Sequence, residues 1–243
     1  MSNPYRERNR EKVEDQFSNF QLNFDRKFGK HAVVAVAGFE ASQRKRPKMW
    51  IHSTPVSNAM DLIRLKEIQE FNDDGNRTEA RMGYLGRINY SYADKYLVEL
   101  IARWDGSWKF RPDNRWGFFP SASLGWRVSE ENFWKESKIG EIVTNLKLRG
   151  SYGEVGDDAV SDYSAFDYLP GYNYNSGGAV IDGNWVVGTS TRGLPNQTLS
   201  WMTAKILDIG VDLGFLNNRL NIQFDYFRRV RDGIPCLLYT SDA

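Results

Sequence analysis

One cysteine, Cys236, and two histidines, His31 and His52, are all that the 243 residues hold of those types. A single cysteine permits no internal disulfide framework and leaves thiol chemistry to one position near the end of the chain. The two histidines have no cysteine or carboxylate at ligand spacing, so neither marks a metal site. Charge of one sign is also missing. With 32 basic and 31 acidic residues the formal charge is +1, and no basic footprint points to nucleic acid or an anionic surface. No apolar run approaches the roughly 18 residues of a membrane-crossing helix. That absence leaves a membrane β-barrel open, because half of each barrel strand is polar. Residues 2–16 lack a basic stretch followed by an apolar one, so no secretory leader is legible there. The expectation is therefore an internal piece of a longer polypeptide.

What the chain does have is aromatic residues, 14% of the total with 8 Trp and 12 Tyr, and a period-two alternation that recurs along its length. Tyr96, Val98, Leu100, Ala102 and Trp104 make one face of a strand. Glu99, Arg103 and Asp105 fall on the other with Leu97 and Ile101. The step from Tyr96 to Trp104 spans about 26 Å along a strand, enough to cross most of a bilayer after tilting, with an aromatic near each interface. The same alternation marks Phe20–Asp25, His31–Gln43, Tyr84–Tyr92, Phe118–Arg127, Leu146–Tyr152, Leu207–Leu213 and Leu220–Tyr226. About eight strands result. Tight turns are expected at Gly29-Lys30, Ala93-Asp94-Lys95 and Leu216-Asn217-Asn218.

The connections alternate in length, with long loops at about 44–81, 105–116 and 154–203, and shorter turns between them. Such a contrast is expected of the outer and inner ends of a membrane barrel. A short surface helix is predicted over Asn58–Phe71, and a similar helical turn over Glu131–Ile142. Gly171–Gly188 reads as loop.

Several blocks then resemble a known family. Gly83-Tyr84-Leu85-Gly86-Arg87-Ile88-Asn89-Tyr90, Asp94-Lys95-Tyr96-Leu97, Asp105-Gly106-Ser107, Asn114-Arg115-Trp116-Gly117-Phe118-Phe119-Pro120-Ser121 and Leu146-Lys147-Leu148-Arg149 are similar, in that order, to the SusC/RagA family of TonB-linked outer-membrane transporters. Leu194-Pro195-Asn196 and Leu199-Ser200-Trp201 resemble the next block, with Met202 where the family has an acidic residue. Asn217-Asn218-Arg219-Leu220 and Asp225-Tyr226-Phe227 fit again. The resemblance implies an all-β fold, an antiparallel transmembrane β-barrel that is incomplete here, about eight strands of a barrel of about 22. It implies a Bacteroidetes-type outer membrane and energy-coupled import of glycans, oligosaccharides or peptides. A SusD-like surface lipoprotein, the TonB complex and outer-membrane lipid are the implied partners, and no cofactor is implied. Residues 1–235 are read as partial barrel. Residues 236–243 resemble a translated sequencing adapter and are expected to be an artefact.

Catalysis is not expected. Asp105, Glu154, Asp157 and Asp158 offer carboxylates, but loop acids are common and no fixed pair is evident. Asn72-Asp73-Asp74-Gly75-Asn76 lacks the register and terminal glutamate of a calcium loop. The candidate ligand-binding residues are aromatics of the predicted outer loops, whose faces suit sugar rings: Trp108, Phe110, Tyr168, Tyr172, Tyr174 and Trp185. Arg87, Glu99, Arg103, Arg127, Lys147 and Arg149 are expected on the inward, polar face in structural roles. The alternative architecture is a soluble all-β carbohydrate-binding module, a sandwich whose apolar face would be buried.

Overall fold

The computed structural model describes residues 6–55, 63, 68–73, 78–159, 166, 168–192 and 195–233. Two compact units are distinguished, Met1–Asn19 with Glu40–Arg81, and Phe20–Phe39 with Met82–Ala243. In the first, β1 (Arg6–Glu11), β4 (Lys48–Ser53) and β5 (Ile68–Asp73) form a sheet in the order β1-β4-β5. A two-pronged Arg44–Asp15 pair, at 2.5 and 2.8 Å, belongs to the same unit.

Eight antiparallel strands make the main sheet: β2 (Glu14–Phe28), β3 (His31–Lys45), β6 (Thr78–Tyr92), β7 (Tyr96–Ser107), β8 (Trp116–Arg127), β9 (Val143–Asp157), β12 (Met202–Phe215) and β13 (Leu220–Asp232). Their order is β13-β12-β9-β8-β7-β6-β3-β2, a meander in which each strand of the set pairs with its chain neighbours in the set. These are the eight segments that alternation marks. The tight turns follow from local chemistry: Ala93 and Asp94 both take positive φ, 52° and 58°, and the Lys95 amide donates to the Tyr92 carbonyl at 2.9 Å. Two successive left-handed residues twist a hairpin in the sense that its strands require.

Register keeps the apolar rows aligned. Tyr96 sits opposite Trp126, Val98 opposite Leu124, and Trp104 opposite Phe118. Trp126 then faces Leu148, Leu148 faces Val211, and Val211 faces Phe224. A one-residue slip would move every one of these side chains to the charged face. No second layer covers this face among the described residues: Leu124 is 63% exposed and Phe224 68%. A soluble sandwich would bury that face, and the structure corrects that alternative.

The long connections hold strands that the sequence reading assigned to loop. Gly171–Gly188 is not loop but most of a hairpin, β10 (Tyr172–Ile181) paired with β11 (Asn184–Thr191) around Asp182-Gly183, with φ of 52° and 79°. Within the expected Asn58–Phe71 helix, Ile68–Phe71 belongs to β5 instead, and residues 58–62 and 64–67 lie outside the described residues. The helical turn expected near Glu131 is present as α1 (Asn132–Lys135) and α2 (Lys138–Ile142). The adapter-like tail, with Cys236, lies outside the described residues, as do residues 74–76 of the calcium-like segment.

Candidate functional site

The inner face of the sheet opposes the apolar rows and carries the charges. A groove of about 420 Å³ on this face is lined by Asn89, Ser91, Glu99, Ser123, Lys147, Arg149 and Asp208, among others. Arg87 pairs with Glu99 across β6 and β7 at 2.5 Å. Arg103 holds Asp105 through two nitrogens, at 3.1 and 3.0 Å. Arg149 reaches three aspartates, Asp208 at 3.4 Å, Asp212 at 3.1 Å and Asp225 at 2.6 Å. Lys147 stands 4.0 Å from Asp212. Arg127 lies opposite Lys147 at the short-turn end. Each of these carboxylates already faces a guanidinium or ammonium group, so this ladder is suited to fixing strands and to binding polar matter. The cations expected on the inward face lie here, joined by Asp208, Asp212 and Asp225, which alternation alone does not single out. Their meeting with Arg149 depends on β9 pairing with β12 across a long connection.

At the long-loop end a small apolar core closes. Phe110 is fully buried and packs with Leu199, Trp201 and Met202. Its ring lies 5.5 Å from that of Trp201, which meets Phe119 edge-on at 5.4 Å. Trp201 Nε1 donates to the Arg115 carbonyl at 2.9 Å, and Ser200 Oγ to the Asn114 carbonyl at 3.2 Å. Phe119 also lies over Gly117 and Gly156, where any Cβ would collide with its ring.

The six candidate aromatics therefore fall into different settings. Phe110 has no face free for a ligand, and Trp108 is buried against the edge of Phe166 at 5.4 Å. Tyr168 is half-buried, and its ring is 6.1 Å from that of Phe166. Tyr172 and Trp185 are well exposed on the β10–β11 hairpin, and the side chain of Tyr174 lies outside the described residues. Among the described side chains, Trp108 and Phe110 are thus buried while Tyr172 and Trp185 are exposed. The loop carboxylates are occupied as well. Asp158 accepts from Ser107 Oγ at 2.8 Å, Glu154 from the Tyr152 hydroxyl at 2.8 Å, and Asp157 from the Ala159 amide at 2.8 Å.

At the short-turn end, Glu131 gathers three partners. Lys95 Nζ and the Tyr96 hydroxyl each donate to it at 2.8 Å, and Trp126 Nε1 at 3.3 Å. Lys95 foremost, then Tyr96, holds its carboxyl below the usual glutamate range. Tyr96 and Trp126 are stacked, 6.5 Å apart and 11° from parallel, so the carboxylate ties the end of the outer apolar face to the connection below it.

Residues 2–235 match the family model described as TonB dependent receptor-like, beta-barrel. The chain is 40% identical to TonB-dependent receptor SusC of Bacteroides thetaiotaomicron over 153 residues, 62% of this chain and 15% of that protein. It is 32% identical to TonB-dependent receptor P39 of Formosa agariphila over 240 residues, 93% of this chain and 21% of the relative. Among solved structures, one of the RagAB peptide transporter superposes with a TM-score of 0.72 at 21% identity, covering 93% of this chain and 24% of the other. The chain thus spans about a fifth or less of the curated relatives that it matches.

Proposed function

Because the chain belongs to the TonB-dependent receptor β-barrel family, we propose that it supplies eight strands of an outer-membrane transporter that imports glycans, oligosaccharides or peptides. One observation carries this reading: a single sheet whose apolar face is aligned and uncovered while its other face is laced with ion pairs. Water would penalise such an apolar face and lipid would not, whereas the ion pairs belong on the side that meets water and protein. The short turns then face the periplasm and the long connections face outside.

Transport in this reading draws energy from the TonB complex, and a SusD-like surface lipoprotein covers the outer opening. Peptides follow the RagAB peptide transporter by likeness alone, and glycans and oligosaccharides follow the resemblance of the motif blocks. On the outer side, Tyr172 and Trp185 are the candidate aromatics that offer free faces to a ligand. Trp108 and Phe110 act indirectly, by holding the loops.

Deleting the gene for the complete receptor and following uptake of labelled oligosaccharides and oligopeptides tests the reading. Uptake of one class should disappear in the deletion strain, return with the intact gene, and stop when a protonophore removes the energy source. A complete protein recovered in the soluble fraction, with uptake unchanged in the deletion strain, would contradict it.

A further inference from the structure

The connection of residues 128–142, between β8 and β9, exposes three large apolar side chains that nothing described covers: Phe133 at 60%, Ile139 at 59% and Ile142 at 64%. It is held in place. Ser137 Oγ accepts from the Gly140 amide at 3.1 Å and donates to the Trp134 carbonyl at 2.7 Å, and Trp134 Nε1 donates to the Val143 carbonyl at 3.1 Å. Its start is fixed through Glu131 to Tyr96 and Trp126, the residues that end the outer apolar rows. The segment that bears the exposed trio thus begins beside the end of the face assigned to lipid.

Charge indicates what covers it. Within it Glu130, Glu131, Glu136 and Glu141 outnumber Lys135 and Lys138, and Lys135 is paired with Glu130 at 2.6 Å. An element recruited by anionic headgroups would carry excess lysine or arginine. This one carries a negative excess, so anionic headgroups do not attract it, and its exposed apolar bulk is what suits it to the boundary between headgroups and acyl chains of a zwitterionic leaflet.

We propose that the α1–α2 connection is a membrane foot, seating Phe133, Ile139 and Ile142 in the phospholipid interface of the periplasmic leaflet beside Tyr96 and Trp126. The proposal rests on the outer-membrane reading above. A foot of this kind sets the depth of the barrel in the bilayer and keeps the β8–β9 connection away from the barrel opening.

The test uses the complete receptor in phosphatidylcholine vesicles containing lipid brominated near the headgroup, with a bimane probe on Ile139→Cys, Glu136→Cys or Leu124→Cys. The Ile139 probe should be quenched by brominated lipid about as strongly as the Leu124 probe and shielded from aqueous iodide, with the reverse at Glu136. An Ile139 probe that iodide reaches, or that neither quencher reaches because protein covers it, overturns the foot while a quenched Leu124 probe leaves the barrel standing. Failure of brominated lipid to quench the Leu124 probe overturns the barrel reading itself. Quenching at Ile139 that appears only after anionic lipid is added would also overturn the proposal.

Discussion

Arg149 on β9 and Asp225 on β13 form an ion pair of 2.6 Å although β12 lies between their strands. The guanidinium crosses by lying over Gly210, where an added Cβ would come within 2.6 Å of Arg149 Cζ and 2.5 Å of Asp225 Oδ1. Asp208 and Asp212, flanking that glycine on β12, take other donors of the same group. One arginine therefore ties three strands together in a single register.

Arg149→Ala should destabilise the folded barrel by about 1–2 kcal/mol, the lower part of the range for charge-assisted hydrogen bonds because the group is partly exposed. Gly210→Val should do at least as much by blocking the crossing, and Asp225→Asn less, since an amide oxygen still accepts. Urea midpoints of the receptor refolded in lipid vesicles measure all three.

On the outer face, Leu124→Arg sits in the middle of an apolar row. It should cost about 2–4 kcal/mol on folding into a bilayer, whereas Ser123→Arg, one residue away on the inner face, should cost well under half of that. The same urea titration in vesicles reads the difference between the two.

Phe119→Ala removes a ring that packs on Trp201 and over Gly117 and Gly156. A loss of about 3 kcal/mol or more is expected, as for other large-to-small changes at well-packed aromatic sites. Limited proteolysis should then cut within 108–115, a stretch that the intact core protects.

Much of this organisation was legible in the chain because lipid imposes a strict period of two. Tyr96 to Trp104 and Phe118 to Trp126 announce themselves, since any slip would put Arg103 or Arg127 in the apolar row. The β10–β11 hairpin was missed although Asp182-Gly183 stands between Val180-Ile181 and Trp185-Val186-Val187, a turn signal flanked by residues of high β-propensity. The glycines and asparagines upstream outweighed it. Phe110 and Trp108 read as loop aromatics because the burial of Phe110 depends on Leu199 and Trp201, about 90 residues further on, and Trp108 packs on the distant Phe166. The carboxylates around Arg149 were unreadable for the same reason: Asp208, Asp212 and Asp225 become its neighbours through strand order alone.

Glu131 gives the short-turn end an acid-sensitive tie. Its carboxyl titrates lower in the folded protein than in the unfolded chain, chiefly through Lys95. The stabilisation is therefore complete above the unfolded value of about 4.3 and is lost as pH falls through the lower, folded value. Amide exchange across the 93–95 turn should accelerate below that range in the parent. In Glu131→Gln it should be faster at neutral pH and respond less to acid.

The central claim is that one sheet face meets lipid and the other does not, and a nitroxide scan along residues 120–126 of the reconstituted receptor tests it most directly. Oxygen accessibility should peak at 122, 124 and 126 and fall at 121, 123 and 125, with a water-soluble nickel complex excluded from the oxygen-rich positions. A flat profile, or nickel access at 122 and 124 equal to that at 121 and 123, would contradict the account.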